Sequence, residues 1–219
     1  MSTRKYLAEL IGTFLFLTIG YSSVAAFGPG QVPGLLVVSF AFPFGLLAAI
    51  FAVGHISGGH FNPAVTVAMV LDKRTLPMDA VGYIVAQTIG AIGAAAVVMI
   101  VAGQGAVAAG VTKPGGGVTE IGALILETVL AAGFVLVILT STKRAPALAP
   151  LAIPLTLIAI HFASATLSGA SVNPARSIGS ALIGGDLAGL WIYLIAPIVG
   201  SVIGWAVFRT VDGGEDELA

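Results

Sequence analysis

Two Asn-Pro-Ala triplets lie 111 positions apart in this chain, and they are its strongest candidates for a functional site. Each triplet follows a Ser-Gly pair at the same offset, within the matched blocks HISGGHFNPAVT (55–66) and TLSGASVNPARS (166–177). Asn is a preferred N-cap, and Pro suits the first position of a helix. Each triplet therefore predicts the start of a short helix, and the matched flanks indicate an internal duplication. The triplet residues are Asn62, Pro63, Ala64, Asn173, Pro174 and Ala175.

The chemistry that two such helix starts offer is hydrogen bonding to a small neutral solute. A helix N-terminus carries about half a positive charge, and we expect Asn62 and Asn173 to point their NH₂ donors into a cavity. A water molecule would accept from both, which interrupts a donor-to-acceptor chain of waters, while the positive helix ends repel cations and protons. A single Asn-Pro pair could simply cap a helix, but the presence of two matched copies argues against that interpretation. We expect carbonyl acceptors from extended backbone at Gly58, Gly59, His60, Phe61, Gly169, Ala170, Ser171 and Val172.

The elements that position these residues are membrane-spanning helices. The chain has 219 residues, of which 58% are hydrophobic and only 9% are charged, and its mean hydropathy is +1.06. No soluble domain of this size needs so much apolar surface, whereas a spanning helix needs roughly 20 apolar residues. The sequence predicts one all-α membrane domain over residues 1–219, with spans at about 5–27, 34–54, 80–102, 119–140, 147–167 and 187–209.

The triplets fall in connections, after the second and the fifth span. The apolar or small stretches that follow them, 65–71 and 177–183, are too short to cross a bilayer, and they predict two re-entrant half helices. Non-helical backbone at that depth is stable only where it is buried or lines a water-filled cavity. Three spans on each side of the connector at 113–117 predict an inverted 3+3 repeat. The repeats are expected over about 5–102 and 119–209, with 210–219 as a flexible tail.

Charge and composition exclude several function classes. The net charge of −1 gives no case for nucleic acid, and the absence of Cys excludes disulfides. No nucleophile, metal cluster or phosphate loop is evident, so we predict neither an enzyme nor a cofactor nor a metal. Seven of the nine Lys and Arg residues fall on one side of the six spans, and the positive-inside rule makes that side cytoplasmic, with both termini. Lys113 lies on the opposite side, and Arg176 lies in a membrane-embedded segment. The compact loops favour a prokaryotic inner (plasma) membrane. The residues of that side are Arg4, Lys5, Lys73, Arg74, Lys143, Arg144 and Arg209.

The chain resembles the aquaporin (major intrinsic protein) family, in its water-selective, prokaryotic-type branch, over about residues 5–209. The motifs HFNPAVT (60–66) and SVNPARS (171–177) carry the resemblance. Supporting matches are Ala8-Glu9 with Gly12-Thr13, AVGHISGGH (52–60), Gln87, Glu127 and Pro197. The resemblance implies a passive channel for single-file water in the lipid bilayer and a homotetramer with one pore per subunit.

Arg176 is an ionisable side chain in a membrane-embedded segment, and such residues are costly and usually functional. In the family, this Arg forms a constriction with three other positions, which the resemblance places at Phe42, His161 and Ala170. Phe42 would set the width, and His161 and Arg176 would supply donors. Pro43 follows Phe42 where the family usually has Gly, so Phe44 is an alternative wall residue.

Other solutes and other classes stay open at this point. The glycerol-conducting branch carries Gly in place of His161 and Asp in place of Ser177, so this chain resembles the water branch. Ala170 is smaller than the Thr or Cys common there, and a wider constriction would admit ammonia or hydrogen peroxide. A facilitator of glycerol or other small neutral solutes is therefore the alternative. An ion-coupled transporter would want acids or a cation cage where this chain has Asn62 and Asn173.

Two intramembrane acids, Glu9 and Glu127, sit near the starts of the two halves. Such acids can relay protons, but their symmetric placement favours buried structural carboxylates that accept hydrogen bonds from the re-entrant backbone. Gln87 is expected to act in the same way. His55 and His60 are expected to position the loop before the first triplet.

Overall fold

The computed structural model describes residues 2–28 and 32–212, and all regular secondary structure in this part of the chain is helical, without a strand. The predicted all-α fold is confirmed. The tail expected at 210–219 lies largely outside the described residues, since the last helix continues to Asp212. The helices are α1 (Ser2–Phe27), α2 (Val32–Ala49), α3 (Pro63–Leu71), α4 (Pro77–Ala102), α5 (Gln104–Ala108), α6 (Glu120–Arg144), α7 (Ala149–Ser164), α8 (Pro174–Gly184) and α9 (Leu190–Asp212).

Five of the described helices are long and apolar enough to cross a membrane, namely α1, α2 with its extension to Ser57, α4, α6 and α9. The extension of α2 contains a π-helical turn at Ile50–Gly54. The fifth predicted span, at 147–167, is shorter than expected, because α7 has only 16 residues. At 1.5 Å per residue it rises only about 24 Å. The chain leaves this helix early to enter the loop before the second triplet.

The two predicted half helices are confirmed as α3 and α8, which begin at the prolines of the two triplets. Asn62 and Asn173 have extended backbone (φ −159° and −150°), as N-caps do. Asn62 Oδ1 accepts from Ala64 N at 2.9 Å, and Asn173 Oδ1 accepts from Ala175 N at 3.0 Å. The side-chain oxygen thus satisfies a backbone donor that the first helical turn leaves free. With nine and 11 residues, neither helix is long enough to cross a bilayer.

The long helices pack as matched pairs, α1 against α4 and α6 against α9. A Cβ added at Gly90 of α4 would lie 2.5 Å from the carbonyl oxygen of Leu10, and one added at Gly200 of α9 would lie 2.4 Å from that of Thr128. The two backbones therefore approach as closely as glycine allows, which is how small residues promote helix association in membranes. These contacts place Glu9 and Glu127 in the interior.

Ion pairs join the helix ends on one side of the bundle, which we call the basic face and define by Lys5, Arg74, Lys143 and Arg144. Lys5 Nζ lies 3.6 Å from a carboxylate oxygen of Asp79, at the start of α4. Lys143 and Arg144, at the end of α6, both contact the carboxylate of Asp212, at the end of α9. Lys113 lies beyond the other end of α4, where its Nζ is 3.9 Å from Asp186.

Candidate functional site

The starts of the two half helices are joined by a reciprocal pair of hydrogen bonds. Asn62 Nδ2 donates to the carbonyl of Val172 at 2.8 Å, and Asn173 Nδ2 donates to the carbonyl of Phe61 at 3.0 Å. An amide NH₂ carries two hydrogens, so one N–H of each Asn remains for a solute. Of the NH₂ donors expected to point into a cavity, each Asn thus has one N–H to offer, not two. Both Asn residues line a cavity, described below.

Glu9 holds the loop in front of α3. Its Oε1 accepts from Ser57 Oγ at 2.6 Å and from His60 N at 3.0 Å. Its Oε2 accepts from Phe61 N and from Gln87 Nε2, both at 2.7 Å. Four donors therefore compensate the burial of a carboxylate that has no exposed surface.

Glu127 holds the loop in front of α8 in the same manner. It accepts from Ser168 Oγ at 2.7 Å, from Ser171 N at 2.9 Å and from Val172 N at 2.7 Å. Each of these donors lies 111 positions after its counterpart in the first half. Because both carboxylates are occupied as acceptors, the geometry supports a structural role for them rather than a proton relay.

The backbone of the two loops is left-handed, not extended as the sequence analysis expected. A left-handed conformation costs a residue other than glycine roughly 1–2 kcal/mol, so the bonds to the carboxylates must hold it in place. Two successive N–H groups point toward each Glu, which turns carbonyls of the same segments away from it. The left-handed residues are Gly58 (φ 98°), Gly59 (67°) and Phe61 (48°) in the first loop, and Gly169 (85°), Ala170 (47°) and Val172 (41°) in the second.

Most of the predicted carbonyl acceptors have no donor within the protein. In residues 2–28 and 32–212, no protein group donates to six of the eight carbonyls, whereas those of Phe61 and Val172 accept from the two Asn side chains. Three of the six, those of His60, Ala170 and Ser171, belong to buried residues. Buried carbonyls without a partner are uncommon, so these three groups need a hydrogen-bonding occupant. The six are the carbonyls of Gly58, Gly59, His60, Gly169, Ala170 and Ser171.

Two cavities meet at this site. The inner cavity offers about 40 Å³ of space to water, which corresponds to roughly three molecules at 10–15 Å³ each. It extends past the two Asn residues to Thr142, at the end of α6 on the basic face. The outer cavity, of about 450 Å³, lies around Gly110 and Lys113. His161 and Arg176 line both cavities and therefore form the partition between them.

Phe42 completes this partition and Phe44 does not. The Phe42 ring is 1% exposed and stacks on the His161 ring, with centroids 5.3 Å apart. The Arg176 guanidinium carbon lies 5.2 Å from the same ring centroid. Phe44 is 52% exposed on the outer surface, so Phe42 is the wall residue of the two alternatives. A Cβ at Gly20 would lie 2.3 Å from the Phe42 ring; Gly20 therefore makes room for Phe42, a role that the sequence analysis missed.

The His161 ring presents an acceptor to the cavities, not the donor that the sequence analysis expected. Its Nδ1 lies 2.9 Å from the carbonyl of Leu157. A carbonyl can only accept, so Nδ1 carries the hydrogen and Nε2 of the neutral ring is an acceptor. Nε2 has no partner in the described part of the chain. An acceptor beside a cationic donor suits water, which both donates and accepts.

The Arg176 side chain is held by a backbone carbonyl and makes no ion pair with any described carboxylate. Its Nη1 donates to the carbonyl of Gly110 at 3.0 Å, and its Nε has no partner. Its own carbonyl accepts from the Tyr21 hydroxyl. A purely structural role as one half of an ion pair therefore has no support among the described residues. Gly110 and Tyr21 lie 66 and 155 positions away in sequence, and no pattern pointed to them.

The two histidines before the first triplet differ. His60 is buried, and its Nδ1 lies 3.1 Å from Thr66 Oγ1, one turn into α3. His55 is exposed and lines neither of the two cavities. Among the described residues there is no group of three or more His, Asp or Glu side chains that could hold a metal.

Comparisons with known proteins agree on one family. The family model described as "Major intrinsic protein" matches residues 1–208. The chain is 41% identical to Aquaporin Z of Rhodopseudomonas palustris, over 96% of this chain and 94% of that protein. It is 40% identical to Aquaporin Z of Photorhabdus laumondii, over 94% of this chain and 96% of that protein. The X-ray structure of the aquaglyceroporin from Plasmodium falciparum superposes over 100% of both chains, with a TM-score of 0.89 and 22% identity, and shows the shared fold.

Proposed function

The chain belongs to the major intrinsic protein family, and we propose that it is a passive water channel. The observation that carries the proposal is the lining of the inner cavity. Five of the six unpartnered carbonyls and one N–H of each capping Asn belong to residues that line a space for roughly three waters. A solute that both donates and accepts hydrogen bonds, and that is no larger than water, fits this lining. The two similar proteins named Aquaporin Z support the same function.

The same geometry accounts for the exclusion of ions and protons. At the junction of α3 and α8, a water accepts from Asn62 and Asn173 and cannot pass on a hydrogen bond in the same direction. The positive ends of the two helices and the Arg176 guanidinium repel cations. Carbonyl acceptors on either side orient the neighbouring waters. Conduction needs no moving part of the protein in this mechanism.

The selectivity for water is assigned to the partition formed by Phe42, His161, Ala170 and Arg176. The Phe42 ring closes one side, and the polar atoms of His161 and Arg176 replace hydrogen bonds that water loses at the narrow point. Ala170 is the one observation that favours a wider range of solutes, because its side chain ends at Cβ. The second candidate function is therefore a facilitator of glycerol or of small solutes such as ammonia.

We also propose that the channel lies in the cell (inner) membrane as a homotetramer, with the basic face and both termini cytoplasmic. The positive-inside rule supports this orientation. The outer surface of α4 is strongly apolar, with Ile100 79% and Val101 81% exposed, and it requires lipid or another subunit. The single channel domain, with repeats at about 5–102 and 119–209, is part of the proposal.

Osmotic shrinkage and glycerol re-swelling of proteoliposomes, followed by stopped-flow light scattering, test the function. We expect fast shrinkage and slow re-swelling from the parent protein. Phe42→Ala should speed glycerol re-swelling about tenfold, which corresponds to about 1.4 kcal/mol off the barrier. The matched control is Phe44→Ala, which removes the same side chain from the outer surface and should change nothing. Fast glycerol entry into parent proteoliposomes would favour the second candidate, and slow shrinkage would refute a channel for water.

A further inference from the structure

The end of the inner cavity at the basic face is mostly apolar. Met69, Ile138 and Ile153 line it there, together with one hydroxyl-bearing residue, Thr142. We infer that Thr142 is a second polar contact on the path of water, and that Arg74 is the residue that positions its hydroxyl. The inference rests on the proposed function, and it assigns a role to a residue outside the channel lining.

The hydrogen bonds of Thr142 define the direction of its hydroxyl. Thr142 Oγ1 lies 2.6 Å from the carbonyl of Ile138, to which it donates its only hydrogen. Arg74 Nη1 donates to Thr142 Oγ1 at 2.7 Å. A hydroxyl has one hydrogen and two acceptor positions, so one acceptor position remains. In a residue that lines the cavity, that position is available to water.

Arg74 is itself fixed from several directions. Its Nε donates to Asp72 Oδ2 at 2.7 Å, and its Nη2 donates to the carbonyl of Leu139 at 3.3 Å. The guanidinium carbon lies 5.7 Å from the ring centroid of the buried Phe208, on α9. Arg74 thus connects the loop after α3 to α6 and α9. Its planar fork makes these contacts at once, which a single ammonium group cannot do.

The physical consequence concerns the entry of water into an apolar stretch. A water between Met69, Ile138 and Ile153 gives up hydrogen bonds that it makes in bulk, and a fixed acceptor at Thr142 returns one of them. Without Arg74, Thr142 can rotate about χ1, and its oxygen no longer faces the cavity all of the time. The loss of part of one hydrogen bond corresponds to a decrease in permeability of about threefold.

A double-mutant cycle on osmotic water permeability tests the inference. Arg74→Lys keeps a charge beside Asp72, and we expect it to lower the permeability about threefold. Thr142→Val, which replaces the hydroxyl by a methyl group of similar shape, should have the same effect. Arg74→Lys should then have no further effect in the Thr142→Val background. Independent effects that multiply, or no effect of either change, would overturn the inference.

Two comparisons distinguish positioning from a general loss of structure. Thr142→Ser keeps the hydroxyl and should retain most of the permeability and the sensitivity to Arg74→Lys. Asp212→Asn weakens the contacts of Asp212 with Lys143 and Arg144 on the same face. None of these three residues lines the inner cavity, so this change should leave the permeability unchanged. A decrease from Asp212→Asn as large as that from Arg74→Lys would assign the effect to the ion pairs of the face as a whole.

A second measurement addresses the position of the side chain without any flux. The ¹³C-methyl resonance of Thr142 reports its χ1 rotamer. We expect one rotamer in the parent protein and an average of rotamers in Arg74→Lys and in Arg74→Gln. An unchanged rotamer in both variants would refute the positioning role even if water permeability fell. If the parent protein conducted no water, the proposed function would fail while the rotamer measurement still decided whether Arg74 positions Thr142.

Discussion

The loops that precede α3 and α8 are two versions of one structure. In each, a carboxylate from a neighbouring long helix accepts from a Ser hydroxyl and from two successive backbone N–H groups. In each, a Tyr hydroxyl from the third long helix of the same half donates to that Ser carbonyl at 2.7 Å, from Tyr83 to Ser57 and from Tyr193 to Ser168. The common contacts are those that hold a strained loop at the middle of a membrane protein.

The two halves differ in the polar groups that support the carboxylate and the half helix. In the first half, Gln87 donates to Glu9 and also to Thr66 Oγ1, at 3.0 Å. In the second half, the corresponding position, 110 residues later, is Pro197, which cannot donate. Hydroxyl groups replace the amide there, since Thr112 donates to Ser177 Oγ at 2.7 Å. Beyond the Glu and Tyr contacts that both loops share, the first half helix is therefore also tied to α4 through Thr66. The second is tied through Ser177 to Thr112, which directly precedes the connector between the halves.

The halves also differ at the residue after the Asn-Pro-Ala triplet. The first half has Val65 and the second has Arg176, at the same offset. Val65 lines only the inner cavity, whereas Arg176 reaches the partition between the two cavities. The contacts that the two halves share are those that maintain the fold. The positions that differ are the ones to which we assign selectivity.

The largest effect is expected when either shared carboxylate is removed. Glu9→Ala and Glu127→Ala each leave two buried backbone N–H groups without an acceptor, at about 1–3 kcal/mol each. Glu9→Ala should cost about 1 kcal/mol more, because Gln87 also loses one of its two acceptors. The free energy of unfolding in mixed micelles measures both changes.

Glu120→Ala is the matched control for this pair, since Glu120 is an exposed carboxylate in the first turn of α6. It should change the free energy of unfolding by less than about 0.5 kcal/mol. Equal stability of Glu9→Ala and the parent protein would show that the loop before α3 does not depend on its carboxylate, and the equivalence of the two loops would be lost.

A smaller effect is expected from the residues that differ. Gln87→Leu removes two buried hydrogen bonds and leaves Glu9 with one donor fewer, which should cost about 1–3 kcal/mol. Thr112→Val removes one hydroxyl contact and should cost about 1 kcal/mol. Thermal unfolding of the two variants in the same detergent gives the order. The opposite order would mean that the Thr112 hydroxyl, next to the connector, stabilises the protein more than the Gln87 amide on α4 does.

The smallest effect is expected at Ala170, which shares an offset and a left-handed backbone with Gly59. Gly59→Ala should cost about 1–2 kcal/mol, because a residue with a Cβ disfavours this conformation, and the new Cβ would lie 3.2 Å from Gly54 Cα. Ala170→Gly should change stability by less than about 1 kcal/mol, since relief of strain opposes the greater freedom of the unfolded chain.

Unfolding of both variants checks this pair. A loss of about 2 kcal/mol or more from Ala170→Gly would be as large as the cost of truncating a well-packed core side chain. It would show that the Ala170 methyl group makes packing contacts that are absent at Gly59. Glycerol re-swelling of the same variant then reports whether that methyl group narrows the partition.

Much of the fold was predictable because it depends on local patterns. Apolar length identified the spans, and the N-cap preference of Asn with Pro at the next position identified the starts of α3 and α8. The end of α7 at Ser164, three residues before the predicted limit, was not predictable, because the apolar run continues through Ala165 and Leu167 into a turn. The left-handed loops were missed for a related reason: only the glycines among those residues signal a positive φ.

Local patterns in the amino-acid sequence were enough to identify a duplicated helical membrane protein with two capped half helices. Helix caps and hydrophobic length are properties of short segments, and the 111-residue spacing of the two matched blocks is evident in the amino-acid sequence. The tertiary structure decided which groups meet. Phe42, not Phe44, contacts His161, and the free acceptor of His161 is Nε2. One N–H of each Asn is bound across the junction, and Arg74 contacts Thr142. These contacts join residues at least 68 positions apart or depend on a rotamer, and no local preference specifies either.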